Sequence, residues 1–216
     1  MMDMIEERKR LLDELEKYGY IKSNEVKRAM LSIPRENFMP DHMEKYAYVD
    51  SPQPIGGGQT ISAPHMVAMM VEKLDLEPGH KVLEVGGGMG YHAAVISRVV
   101  KEEGIVFSVE LLEELARSAE KALEKTGIQN VEVIRGDGSS GYEEEAPYDR
   151  ISVACAAPEI PPPLIRQLKV GGKLLLPVSS GFFQELIRVT RTAEDKIKKE
   201  KLGGVAFVPL KGEYGY

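Results

Sequence analysis

The run Lys81-Val82-Leu83-Glu84-Val85 leads straight into Gly86-Gly87-Gly88-Met89-Gly90 and then into an apolar stretch over 91–100 with helical spacing. A strand, a glycine turn and a helix in immediate succession begin a parallel crossover, because a strand pairs in parallel only after another element carries the chain back. The same alternation repeats downstream. Strands are predicted over 105–109, 131–134, 151–154 and 173–178, with helices over 112–125 and 164–168. Leu112, Leu115, Ala116, Ala119 and Leu123 form the inward stripe of the first of these helices. The segments 185–192 and 205–210 alternate like strands with no helix between them. The expected fold is α/β: a doubly wound sheet, mostly parallel, with antiparallel C-terminal strands.

Ahead of the sheet, helices are predicted over 4–18, where Leu11, Leu12, Leu15 and Tyr18 share a face, over 24–31, and over 64–74, where Val67, Met70, Val71 and Leu74 keep helical spacing. Pro34 and Pro40 bracket an irregular stretch, and 46–60 is rich in Pro and Gly, so it reads as loop with short extended pieces. A chain of 216 residues suits one domain. Its parts are a helical and loop extension over 1–60, a binding core over 61–180 and C-terminal strands over 181–216.

Composition narrows the function classes. The chain carries 28 Lys and Arg against 34 Asp and Glu, net −6, and its basic residues are interleaved with acids, as in Glu194-Asp195-Lys196-Ile197-Lys198-Lys199-Glu200-Lys201. A phosphate-binding footprint needs clustered, unopposed cations, so no nucleic-acid partner is expected. No stretch has the length of a signal peptide's apolar region or of a bilayer span, which leads to the expectation of a cytoplasmic protein without a membrane partner. The single Cys155 lies in the small apolar run Ile151-Ser152-Val153-Ala154-Cys155-Ala156-Ala157 and is expected as a buried space-filler. No His, Asp or Glu set has metal-ligand spacing, so no metal is expected. Only three asparagines occur, none before glycine, which leans towards a heat-adapted source.

In a doubly wound sheet the ligand sits beyond the carboxyl ends of the strands, where the winding reverses. Glycine allows the first strand-to-helix turn there to adopt positive φ and lets a ligand approach without meeting a Cβ. The dinucleotide fingerprint G-x-G-x-x-G requires a glycine three places after Gly88, and Tyr91 stands there instead. What remains is an acid two residues before a G-x-G-x-G turn, Glu84 ahead of Gly86, Gly88 and Gly90. This resembles the first motif of S-adenosylmethionine-dependent methyltransferases. The resemblance implies that cofactor, with Glu84 interacting with its ammonium directly or through water. Glu110, at the end of the second strand, would accept from the ribose hydroxyls, and Asp137, in Gly136-Asp137-Gly138, would contact the adenine beside Gly138.

The stretch Ser51-Pro52-Gln53-Pro54-Ile55-Gly56-Gly57-Gly58-Gln59-Thr60-Ile61-Ser62-Ala63-Pro64-His65-Met66-Val67-Ala68 is more specific. With Ala146-Pro147-Tyr148-Asp149-Arg150, Ala157-Pro158-Glu159-Ile160-Pro161 and Val205-Ala206-Phe207-Val208-Pro209-Leu210, it is similar to protein-L-isoaspartate O-methyltransferases, which repair isomerised aspartyl sites in ageing proteins. The resemblance spans about 34–210 and implies a Rossmann-like methyltransferase domain. It makes Ser62 the active-site serine, sets Gln59, Thr60, Ile61 and Ser62 against the cofactor, and gives Ile55, Val208, Pro209 and Leu210 to the substrate side. The family commonly has G-T-G-S-G-Y-N where this chain has Gly86-Gly87-Gly88-Met89-Gly90-Tyr91-His92. That departure puts side-chain hydrogen bonds to the cofactor in doubt while leaving the backbone path.

Local sequence leaves other readings open. Ser62 fits equally as the N-cap of the helix beginning near Pro64. The three glycines 56–58 suit either a flexible loop or close approach to a ligand. His65 fits a catalytic role less well than a packed or solvated place on its helix face, and His92 and the Met69-Met70 pair read as packing. The segment 205–210, if a strand, could pair with a substrate segment by β-addition. The expected reaction is methyl transfer to an isoaspartyl carboxylate by a monomer whose partners are isoaspartyl proteins and peptides. The alternatives are a methyltransferase of RNA or a small molecule, and an inactive cofactor-binding interaction module.

Overall fold

The computed structural model describes residues 3–216. Helices α1 (Met4–Lys17), α2 (Asn24–Ser32) and α3 (Pro64–Leu74) precede the sheet, with a hairpin of β1 (Gln53–Gly56) and β2 (Gln59–Ile61) between α2 and α3. The alternating part follows as β3 (Lys81–Val85), α4 (Tyr91–Val100), β4 (Ile105–Glu110), α5 (Glu113–Lys125), β5 (Val131–Arg135), β6 (Tyr148–Val153) and α6 (Pro162–Arg166). It ends in β7 (Leu168–Ser180), β8 (Phe183–Ala193) and β9 (Lys196–Val205). The seven-stranded sheet has the order β5-β4-β3-β6-β7-β8-β9. Pairing is parallel from β5 to β7 and antiparallel from β7 to β9.

The winding reverses at β3. The chain steps outwards through β4 and β5, then returns to lay β6 on the other side of β3. Beyond Lys81, β3 is wholly buried, as is expected of a central parallel strand covered on both faces. One face is covered by α4, α3 and the N-terminal helices, where Leu12, Leu15, Met30, Phe38 and Tyr91 join Val82 and Val106. The other face holds Leu83, Val85, Phe107, Tyr148 and Leu164. Helix α5 buries Leu115, Ala116, Ala119, Ala122 and Leu123, with Leu112 at its N-cap.

Three predicted elements shift. The segment 205–210 is not a sheet strand: β9 stops at Val205, and Pro209 makes only an isolated bridge with Ala156. The last strand is instead the charged run 196–205. Lys196, Lys198, Lys199 and Lys201 are exposed on both of its faces, so there is no apolar alternation to read, and an edge strand rich in Lys resists pairing with another chain. Strand β7 begins at Leu168, before Gly171-Gly172, where an irregular register accommodates the pair within the strand.

Candidate active site

The principal cavity opens at the carboxyl ends of β3, β4 and β6 and is roofed by the β1–β2 hairpin and the 207–211 segment. Its floor is the glycine turn. Gly86 and Gly87 donate their N–H groups to Val109 O at 2.9 and 3.2 Å, which ties the turn to the end of β4. Gly88 has φ +56°, and a Cβ there would lie 3.2 Å from Ile55 Cδ1. Gly86 has φ +82°, and a Cβ there would fall 2.6 Å from Cys155 Sγ. Side chains at either position would be strained and would crowd the cavity.

Glu110 reaches this wall. Its Oε2 accepts the Gly88 N–H at 2.7 Å and its Oε1 the Leu112 N–H at 2.9 Å. Burial pushes its carboxyl above the usual range, the two N–H donors pull against that rise, and the charge of Glu84 adds to it. Each carboxylate oxygen retains capacity for a further donor.

Glu84 does not reach the cavity. It is fully buried behind the glycine turn, where the Ser108 hydroxyl donates to its Oε2 at 2.5 Å. His92 Nδ1 approaches its Oε1 at 2.9 Å, but that oxygen is left without a well-directed hydrogen bond. His92 itself lines the cavity, so the histidine expected as packing stands between the buried acid and any ligand. A Cβ at Gly87 would lie 2.1 Å from Ser108 Oγ. The serine hydroxyl on β4 thus takes the room in which a threonine at 87 would start.

Asp137 also lies off the cavity wall. Its oxygens accept from Ser139 N at 2.9 Å and Glu213 N at 2.7 Å, tying down the C-terminal segment, while its neighbour Gly138 does line the cavity. Gly90 is turned outwards, since a Cβ on it would meet Ala119 of α5 at 3.2 Å. Glu84, Gly90 and Asp137 are therefore the three expected residues that the fold does not bring together with the rest. Gln59, Thr60, Ile61, Ser62, Gly86, Gly88, Glu110 and Gly138 share one cavity with Ile55, Val208, Pro209 and Leu210.

Ser62 follows β2 and precedes α3. The N-cap of α3 is Ala63, which makes no side-chain cap bond. Capping is done from a distance: Asp50 Oδ1 accepts the His65 N–H at 2.9 Å and faces His65 Nδ1 at 2.8 Å. The Ser62 hydroxyl is thereby spared from capping. Its carbonyl accepts a 2.8 Å hydrogen bond from Nη2 of Arg35, a buried residue that sequence inspection passed over. Burial pulls the Arg35 guanidinium down to about 10.

The 207–210 segment is held by main chain, with Ala156 N donating to Val208 O and Leu210 N to Ala156 O, both at 2.8 Å. Phe207 is clamped by Gln184, which accepts from its N–H and donates to its carbonyl. These bonds occupy the edge of the segment that faces Ala156 and both main-chain groups of Phe207. The glycines 56–58 contribute Gly57 to the cavity, with Leu112 packed so closely that a Cβ would sit 2.7 Å from it. Met66, Met70, Tyr91 and Phe207 add apolar lining that helical spacing and alternation present only as core.

Among the described residues no group of three or more His, Cys, Asp or Glu is arranged to hold a metal, and no helix is long and apolar enough to cross a membrane. The family model described as Protein-L-isoaspartate(D-aspartate) O-methyltransferase (PCMT) matches residues 6–215. A protein-L-isoaspartate O-methyltransferase of Methanothermobacter thermautotrophicus is 54% identical over 214 residues, 99% of either chain. The enzyme of the same name from Methanopyrus kandleri is 54% identical over 97% of this chain and 93% of its own. Among solved structures, one from Plasmodium falciparum in complex with S-adenosyl-L-homocysteine is similar, with a TM-score of 0.86 at 29% identity over 94% of this chain and 98% of that one.

Proposed function

The chain belongs to the protein-L-isoaspartate(D-aspartate) O-methyltransferase family, and from that membership we propose that it methylates the free carboxylate of L-isoaspartyl residues in damaged proteins and peptides, initiating their repair. The observation that carries the reading is one cavity holding an open glycine turn, the Glu110 carboxylate and a serine hydroxyl free of capping duty. S-adenosylmethionine, when bound, supplies a methyl group on a positively charged sulfur that leaves with the electrons of the broken carbon–sulfur bond.

The residues present fit that group. Gly86 and Gly88 leave room that a Cβ would fill, and Glu110, which lines the cavity, would accept from the ribose hydroxyls. The Glu110 carboxylate, buried in the cavity wall beside the turn, favours a cationic ligand. With glycine at 87, Glu84 still has a hydroxyl donor, that of Ser108.

At the acceptor side, a carboxylate with a pKa of about 4 is already ionised at neutral pH and needs no general base. The work left to the protein is orientation. Ser62 donates to the carboxylate and aims one oxygen, while Ile55 and Val208 to Leu210 close the apolar side and keep water out. Cys155 does not compete as a nucleophile, because burial pushes its thiol up to about 12 and it stays protonated. The same reading gives a cytoplasmic monomer that acts on isoaspartyl proteins without a membrane partner, and the net charge of −6 with interleaved cations supports the absence of a nucleic-acid partner.

The test is transfer of labelled methyl to an isoaspartyl peptide and to its normal aspartyl twin. Base-labile label on the first peptide alone is expected. Equal labelling of both, or of neither, would overturn the reading.

A further inference from the structure

Arg35 is the most deeply buried cation among the described residues, at 1% exposure. It opens the short turn Arg35–Phe38 after Pro34. Its Nη2 donates to Ser62 O at 2.8 Å, and its Cζ stands 4.9 Å from the centre of the Tyr91 ring. Its Nε and Nη1 are buried without any hydrogen-bond partner. The other buried arginine, Arg150, spends its nitrogens on the carbonyls of Leu74, Asp75 and Asp149. An incompletely satisfied guanidinium is therefore particular to Arg35.

The acids near Arg35 are committed elsewhere. Asp50 serves His65 and the start of α3, and its charge acts on Arg35 without a hydrogen bond between them. Glu36 accepts from Arg8 and from the Tyr48 hydroxyl. Tyr48 and Tyr91 are uncharged at neutral pH, burial being the first cause that raises both hydroxyls. A buried charge without a counter-ion is unfavourable, and an apolar side chain of similar size would pack there at no such cost. Ser62 and Tyr91, against which the Arg35 guanidinium lies, both line the cavity. The charge thus lies one layer behind the wall that carries the serine.

We propose that Arg35 is a positioning and specificity-determining residue: it holds the main chain of Ser62, and its charge, which no acid pairs directly, makes the space before the Ser62 side chain selective for a carboxylate over a neutral acyl group. This rests on the methyl-acceptor reading of that site. The charge favours the isoaspartyl carboxylate on entry and loses its partner once that carboxylate has become an ester. Arg35 accordingly acts on binding and product release more than on the bond-making step. Over several ångströms at the intermediate dielectric of a protein, the preference amounts to about tenfold or more.

The experiment compares the wild type with Arg35→Lys, Arg35→Gln and Arg35→Met. With saturating S-adenosylhomocysteine, calorimetry gives the affinity for an isoaspartyl peptide and for the same peptide carrying a neutral carboxamide in place of that carboxylate. Turnover of the isoaspartyl peptide is followed in parallel, and thermal melting checks folding. Gln and Met are expected to lose the preference for carboxylate over amide by about tenfold, with KM rising far more than kcat falls, while Lys keeps most of the preference. The proposal is overturned if both peptides weaken together, if Lys behaves like Gln, if the variants lose S-adenosylhomocysteine affinity instead, or if both charge-removing variants fail to fold. A wild type that prefers the carboxylate yet transfers no methyl would sink the proposed reaction and leave the role of Arg35 standing. A wild type that transfers methyl, with an Arg35→Gln preference unchanged, would do the reverse.

Discussion

Ser62 shows how a single hydroxyl becomes available for chemistry. A serine two residues before Pro64 has every local reason to cap the following helix, and Asp50, twelve positions earlier, removes that reason by accepting the His65 N–H. Ser62 then lines the cavity with its hydroxyl free of the cap, while Arg35 holds its carbonyl. A hydrogen bond to a charged acceptor is worth about 1.5–3 kcal/mol, so Ser62→Ala should lower kcat/KM for an isoaspartyl peptide by about 10- to 150-fold. An unchanged kcat/KM would remove Ser62 from the site. At this scale the sequence disclosed which residue types gather at strand ends, and Glu110 lies where its position implied. It did not disclose that Glu84 would be enclosed by Ser108 and His92, or that Asp137 would be drawn to Glu213 N, because those partners are distant in the chain. Arg35 was invisible for the same reason: a lone arginine after a proline carries no pattern until Ser62 is folded against it.

The elements that position the site were legible wherever one face is buried. Helices α3, α4 and α5 and strands β3 and β4 all announce themselves by apolar spacing, and each lies within a residue or two of its predicted bounds. Strand β9 was hidden because its side chains are exposed on both faces, and 205–210 misled because its alternation reflects the cavity lining and the Ala156 bridge rather than a sheet ladder. Helix α3 matters most to function, since its N-terminus adjoins Ser62. Pro64 in its first turn needs no donor partner, and Asp50 supplies the cap that Ala63 lacks. Removing that cap with Asp50→Ala should cost about 1 kcal/mol, a fall in Tm of roughly 2–4 °C for a chain of this size. A Tm unchanged by the substitution would mean that the long-range cap contributes nothing.

Across the whole molecule, the cavity is assembled from pieces that the topology alone unites. Turns after β3, β4 and β6 supply its floor at the place where the winding reverses, and the β1–β2 hairpin and the 207–211 segment supply its roof. The N-terminal extension, which the sequence reading already brought to the site through Ile55, Gln59 and Thr60, also supports it from behind: Arg35 and Phe38 pack on Tyr91, which lines the cavity. The central claim is that a sulfonium cofactor lies across this floor with its sulfur towards Ser62. A crystal structure with S-adenosylhomocysteine tests it most directly. The account predicts ribose hydroxyls bonded to Glu110, backbone contact at Gly86 to Gly88, and the sulfur facing the Ser62 hydroxyl; density for the ligand in any other place, or with its sulfur turned away from that serine, would contradict it.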